Sequence, residues 1–340
     1  MSKKRHLLVY FASSYKELYQ LYMWEALFEA LSEDYQLEVI FRNPVSYYKY
    51  NGKFDKKLCL KTSTLYLHID SINVSACIYV NNTLLNYHML KYYHFKHLHL
   101  GHGESDKSCS KTYHFNAYSD ILASGEIAKS RLTSIGISSE KIHIIGKASK
   151  SNSLRSIKLF NNERPTILYA PTWEGGTKEN RFTSIEEVGI QLVEHYCNSE
   201  YNLIFKPHPL IGKKSSNAKK ALRTCTKLVN NSDSAYTYTD DIADVLHFSN
   251  LLVTDVSSIV IDYLKLNKPY VTFVPEHFKG EAKKIEAINN SSSASTFEEI
   301  VLGIETEIRK EPNNENLFNR YVSCDDINLV SNNIKKIIDQ

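Results

Sequence analysis

Leu251-Leu252-Val253-Thr254-Asp255-Val256-Ser257-Ser258 is a short apolar run that passes through aspartate and serine into a helical segment, Ser258–Leu266. Such a strand-to-helix passage is half of a parallel β-α-β unit, and it recurs along the chain. Before it, strands read at Ile167–Ala170, Asn202–Lys206 and Ala235–Tyr238, and after it at Tyr270–Val274. Helices read between them at Ile185–Tyr196 and Asp241–Phe248, and a later one at Thr296–Lys310 opens on a capping box, Thr296 with Glu299. Asn289–Ser295 reads as a flexible low-complexity loop.

The same rhythm holds upstream. His6–Phe11, Leu37–Phe41, Ala76–Val80, Leu98–Leu100, Asp120–Ala123 and Ile142–Ile145 read as strands, with helices at Tyr15–Leu31, Thr83–Tyr93 and Glu126–Ser134. A polar segment, Lys147–Glu163, interrupts the pattern. The expectation is an α/β chain of two doubly wound Rossmann-type domains facing a central cleft. One covers residues 1–155 and the other 156–325, and a closing amphipathic segment in 326–340 packs back on the first.

Composition narrows the function classes. Lys plus Arg is 41 against 38 for Asp plus Glu, a net charge of +3, so no nucleic-acid partner is expected and an anion site must come from local placement. Six cysteines stand far apart with no C-x-x-C pair, which fits packed, reduced thiols better than a disulfide frame or a zinc site. No apolar window is long enough for a spanning helix, and the N-terminal run lacks the length and cleavage site of a signal peptide. Neither a metal nor a cofactor is called for by any motif.

In an open parallel sheet, ligands bind at the carboxyl ends of the strands. The unusual residues fall there. Gly101-His102-Gly103-Glu104-Ser105 follows one strand, Pro171-Thr172-Trp173-Glu174-Gly175-Gly176 another, and Lys206-Pro207-His208-Pro209, Asp255-Val256-Ser257-Ser258 and Pro275-Glu276-His277 three more. His208 is fixed between two prolines, two residues after Lys206, where it suits a ligand or a backbone hydrogen bond equally. His102 between two glycines leaves an imidazole unshielded, with an ordinary pKa of about 6.5 that suits a base. A tight turn that happens to hold a histidine is the alternative. Asp255 or Ser257 would cap the following helix, or the uncapped amides and the serine hydroxyls would bind phosphate. Lys213, Lys214, Lys219, Lys220 and Arg223 read as a solvated helix face. Tyr47-Tyr48-Lys49-Tyr50 and Tyr87–His97 mix aromatic and basic side chains as a membrane–water interface does, although a helix end and a buried strand explain them too.

Gly101-His102-Gly103, Ile167–Trp173, Phe205–Pro209, Asp255–Ser258 and Asn267-Lys268-Pro269 stand together in an order that resembles the CDP-glycerol glycerophosphotransferases of teichoic-acid and capsule synthesis, enzymes of GT-B fold. The likeness runs from about residue 95 to 310. Departures are Glu104-Ser105 where the family often has Thr-Pro, and Lys206-Pro207 where it has Arg and Met. The resemblance implies transfer of glycerol phosphate or ribitol phosphate from a CDP-linked donor to an acceptor hydroxyl, releasing CMP. His102 would be the general base. His208 with Lys206 would bind the diphosphate, and Ser257 and Ser258 would hold phosphate oxygens. Thr172, Asp255 and Glu276 complete the expected donor side, and Ser13, Ser14, Glu104 and Ser105 the acceptor side. The acceptor would be a lipid-linked or polymeric glycan, and the protein cytoplasmic and peripheral on the inner membrane face. A GT-B glycosyltransferase acting on a nucleoside diphosphate sugar, and a non-catalytic nucleotide- or polymer-binding protein, are the other readings of the same scaffold.

Overall fold

The computed structural model describes residues 4–101, 113–147, 159–176, 180–240 and 242–340. They fall into two compact units. The first holds the described residues up to 147 together with 319–340, and the second those from 159 to 318.

In the first unit the strands are β1 (His6–Phe11), β2 (Gln36–Phe41), β3 (Asp55–Leu58), β4 (Val74–Tyr79), β5 (Lys96–His99), β6 (Asp120–Ala123) and β7 (Ile142–Ile144). Among the described residues they form one parallel sheet of order β3-β2-β1-β4-β5-β6-β7. Successive β1 side chains serve opposite faces, as the two-residue period of a strand requires. Leu7, Val9 and Phe11 join Leu27, Phe28 and Leu31 on one side, and Leu8 and Tyr10 join Cys77, Tyr79 and Ile121 on the other. The terminal helix, Ile327–Asp339, buries Val330, Ile334, Ile337 and Ile338 in the first of these clusters.

The second unit repeats the plan with β8 (Thr166–Ala170), β9 (Asn202–Phe205), β10 (Ala235–Thr237), β11 (Leu251–Asp255), β12 (Tyr270–Phe273) and β13 (Ser292–Ala294). The order is β10-β9-β8-β11-β12-β13, again parallel throughout. In each sheet the strand order reverses once, between β1 and β4 and between β8 and β11, so each has one switch point at its carboxyl edge.

Three expectations change. The stretch expected as one helix over Tyr15–Leu31 is broken into Tyr15–Glu17, Tyr19–Tyr22 and Glu25–Ser32. The expected loop Asn289–Ser295 contains an edge strand, and β3 is a second strand the apolar pattern did not reveal. Five of the six cysteines are described, all as free thiols. Four of these are buried, and burial pushes the Cys77 and Cys225 thiols up to about 12.

Candidate active site

The carboxyl edge of the second sheet is organised by Asp255, the last residue of β11. It is fully buried, and its carboxylate accepts hydrogen bonds from the backbone N–H of Thr172 at 2.5 Å and of Ser184 at 3.0 Å. The neighbouring Thr254 hydroxyl donates to the carbonyl of Ala170 at 2.8 Å. Asp255 thus ties the loop after β8 to the switch point. The nearby Tyr169 hydroxyl bonds Ser184, and burial followed by the Asp255 charge holds that phenol well above its ordinary pKa. Neither Asp255 nor Ser257 caps the next helix, Ile259–Leu264. Ser258 stands at its N-cap without a side-chain hydrogen bond. Ser257 and Ser258 are both half-buried, and Ser257 lines, with Thr272, a cavity of about 20 Å³.

Lys206 continues the line of β9, its N–H bonded to the carbonyl of Tyr169 at 2.9 Å and its side chain mostly buried. His208 follows, fixed as its two prolines require. Its backbone N–H reaches the carbonyl of Pro171 at 3.1 Å. Its ring Nδ1 accepts from the N–H of Leu210 at 3.1 Å, and its ring stacks on Trp173 with centroids 6.4 Å apart. With Nδ1 occupied as an acceptor, the neutral ring carries its proton on Nε2. His208 therefore offers a donor, which suits an anionic oxygen.

Glu174 was quoted from the sequence but given no role there. It is almost fully buried, and its Oε1 accepts from the N–H groups of Gly212 at 2.9 Å, Lys214 at 3.3 Å and Ser215 at 3.0 Å. It thereby pins the loop that leaves His208 and enters the helix Ser216–Asn230. Gly175 makes this possible: it has φ +75°, and a Cβ there would lie 2.3 Å from the carbonyl oxygen of Asn180. Ser215 caps the helix by accepting from Ala218 N–H and also bonds the Glu186 carboxylate, which pairs with Arg181. No local signal marks Glu174, because its partners are backbone amides almost 40 residues downstream. Glu276 follows β12 at the carboxyl edge of the same sheet, exposed in a short turn whose His277 and Phe278 pack on Phe182, and it pairs with Lys279 at 2.7 Å.

At the first unit's β1/β4 switch point the described groups that bond one another are amides and hydroxyls, while beside it the Arg42 guanidinium donates to the Tyr10 hydroxyl at 3.1 Å and to the Leu60 carbonyl at 3.3 Å. Gly101, at φ +73°, donates to the carbonyl of Tyr79 and accepts from the Trp24 indole at 2.8 Å, fixing the chain just before His102. His102, Glu104 and Ser105 lie outside the described residues. Ser13 Oγ accepts from Asn81 Nδ2 at 3.1 Å, and the same Nδ2 donates to Gln20 Oε1 at 2.9 Å. Asn86 donates to the Asn81 carbonyl and to the Tyr118 hydroxyl. Ser14 is spent on a turn, accepting from Lys16 N–H. Asn81, Asn86 and Gln20 are members that the sequence did not single out. Among the described residues no group of three or more His, Cys, Asp or Glu is placed to hold a metal ion. No described helix is long and apolar enough to cross a membrane.

The family model for CDP-glycerol:poly(glycerophosphate) glycerophosphotransferase matches residues 145–333, more than half of the chain. The chain belongs to this family. The match takes in the loops after β8, β9 and β11 and the whole helix Ser216–Asn230. Among curated proteins, the teichoic acid poly(glycerol phosphate) polymerase of Bacillus spizizenii is 31% identical over 126 residues, 34% of this chain and 28% of that protein. The teichoic acid poly(ribitol-phosphate) polymerase of the same organism is 24% identical over 181 residues, 47% of this chain and 26% of that protein. The matched stretch is thus about a quarter of the length of either relative. Among solved structures, the wall teichoic acid polymerase TagF superposes with a TM-score of 0.64 at 16% identity, covering 99% of this chain and 88% of that one. S. aureus MnaA bound to UDP superposes with 0.61 at 14%, covering 98% and 96%. These likenesses show the fold, a GT-B-like pair of doubly wound units.

Proposed function

We propose that this chain transfers a polyol phosphate, glycerol phosphate or ribitol phosphate, from a CDP-linked donor to a hydroxyl of a lipid-linked or polymeric glycan. The acceptor oxygen attacks the phosphorus that carries the polyol, the bond from that phosphorus to the oxygen it shares with CMP breaks, and CMP leaves with the electron pair. The observation that carries this reading is His208. It sits inside the family-matched region, held so that Nε2 is a donor, at a strand end beside Lys206. Fixed donors and a cation are what phosphoryl transfer needs, since its catalysis is mostly positioning and charge stabilisation. Ser257 and Ser258 would hold phosphate oxygens, with Thr172 placed on the same edge by Asp255. His102 is assigned the acceptor proton, and Ser13, Glu104 and Ser105 the acceptor side.

We place the protein at the inner membrane face. Exposed Tyr15, Tyr19, Tyr48, Leu60, Leu84 and Leu85, all in segments that leave the carboxyl ends of β1 to β4, support that contact, as does Lys49, 4.1 Å from the Tyr15 ring centroid. The test is release of CMP from CDP-glycerol, CDP-ribitol and, as controls, UDP-sugars. CMP from a CDP-polyol is expected, with His208→Ala lowering the rate by roughly 10²–10³-fold as loss of a preorganised donor does. Turnover of UDP-sugars alone, or full activity in His208→Ala, would sink the assignment.

A further inference from the structure

Between Lys206 and Asp233 the sequence has no carboxylate but carries Lys213, Lys214, Lys219, Lys220, Arg223 and Lys227, in a chain whose net charge is only +3. The structure folds 216–230 into one helix. Its apolar side, Ala218, Ala221, Cys225 and Val229, is buried, and all six cations are exposed. None of the six forms an ion pair among the described residues. The two carboxylates that touch this segment, Glu174 and Glu186, do so through backbone amides and Ser215, leaving the cations uncompensated.

Lys219, Arg223 and Lys227 follow at i, i+4 and i+8, so positive charge repeats about every 6 Å along one stripe of a helix about 22 Å long. Lys213 and Lys214 extend that charge into the loop that Glu174 pins and His208 opens. The stripe lacks the other half of a membrane-binding face: no large apolar side chain between Lys206 and Ser234 is exposed. The exposed aromatic and apolar groups gather instead on the first unit. Cations without apolar partners complement a flexible polyanion, which is held by charge and counterion release alone.

We propose that the exposed face of the helix Ser216–Asn230 is a docking track for a polyphosphodiester chain, holding it apart from the reacting hydroxyl so that it stays bound between transfers. The identity of that chain rests on the polyol phosphate transfer proposed above; the track itself rests on the charge. The test combines Lys219→Gln, Lys220→Gln, Arg223→Gln and Lys227→Gln in one variant of the full chain, with an all-arginine counterpart as the charge-preserving control. Binding is read by fluorescence anisotropy of a labelled long glycerol phosphate oligomer, a labelled short one, and phosphatidylglycerol vesicles.

The glutamine variant should bind the long oligomer roughly tenfold or more weakly, with a log–log salt slope shallower by roughly 3, and the arginine counterpart should bind as wild type does. CMP release onto a short acceptor should be unchanged, and the products made from a long one should be shorter. Equal binding of the long oligomer by the glutamine variant would overturn the proposal. So would vesicle binding lost while oligomer binding stays, which would make the stripe a membrane contact. Charge-dependent oligomer binding without CMP release from any CDP-polyol would uphold the track and remove the transfer reading alone.

Discussion

The two sheets share a topology and differ at their carboxyl edges. At the β8/β11 switch point, buried carboxylates hold the loops: Asp255 grips Thr172 and Ser184, and Glu174 grips the segment from Gly212 to Ser215. At the β1/β4 switch point neutral amides and hydroxyls do that work, through Ser13, Gln20, Asn81, Asn86 and Tyr118. A hydrogen bond to an ionised group contributes about 1.5–3 kcal/mol where a neutral one contributes about 1. The second edge is therefore the more firmly held of the two. Both carboxylates act through backbone amides, Asp255 with both oxygens and Glu174 with Oε1, and so hold the loops on either side of His208.

That contrast can be broken most directly at Asp255. Asp255→Ala leaves two buried amides unanswered and should cost about 3–5 kcal/mol, measured as a shift in the urea unfolding of the second unit. A change below about 1 kcal/mol would mean that the clamp is not what holds the loop. Glu174→Ala should cost less, about 2–3 kcal/mol, because the half-buried loop amides regain water. Its sharper signature is kinetic: CMP release should fall with the change in kcat, and Glu174→Gln, which keeps an acceptor oxygen, should recover most of it.

At the β1/β4 switch point, Asn81→Ala should cost about 1–2 kcal/mol in the first unit. A loss as large as that of Asp255→Ala would erase the distinction between the two edges. The smallest effect concerns pH. Burial depresses the pKa of His97 in β5, where its ring bonds the Tyr79 hydroxyl at 2.8 Å. Below the ordinary value of about 6.5 the unfolded chain binds a proton that the folded ring does not, so stability rises with pH across that window and falls on acidification. His97→Gln should flatten the fall in unfolding midpoint between about pH 6.5 and 5.

The strand–helix rhythm was legible wherever a strand is buried on both faces. β1, β6 and β8 lie within one residue of where the apolar runs put them. It failed at two of the four outermost strands, whereas β7 and β10, outermost too, were read at Ile142–Ile145 and Ala235–Tyr238. β3 reads Asp-Lys-Lys-Leu and β13 reads Ser-Ser-Ala, and both are outermost in their sheets, where half the neighbours that make a strand apolar are missing. His208 stood out because its flanking prolines are a local signal. Glu174 and Asn81 did not, because their partners lie far along the chain and include backbone groups that no side-chain pattern marks.

By itself the sequence determined the two parallel sheets, the placing of unusual residues after strands, and the family resemblance, since each depends on neighbours within a few residues. Only the tertiary structure decided that Asp255 clamps a loop instead of capping a helix, and that Glu174 sets the path leaving His208. It also showed that the basic helix face read from the sequence has no ion-pair partner among the described residues. Hydrogen bonds between distant backbone amides and a buried carboxylate form only once the sheet has brought them together.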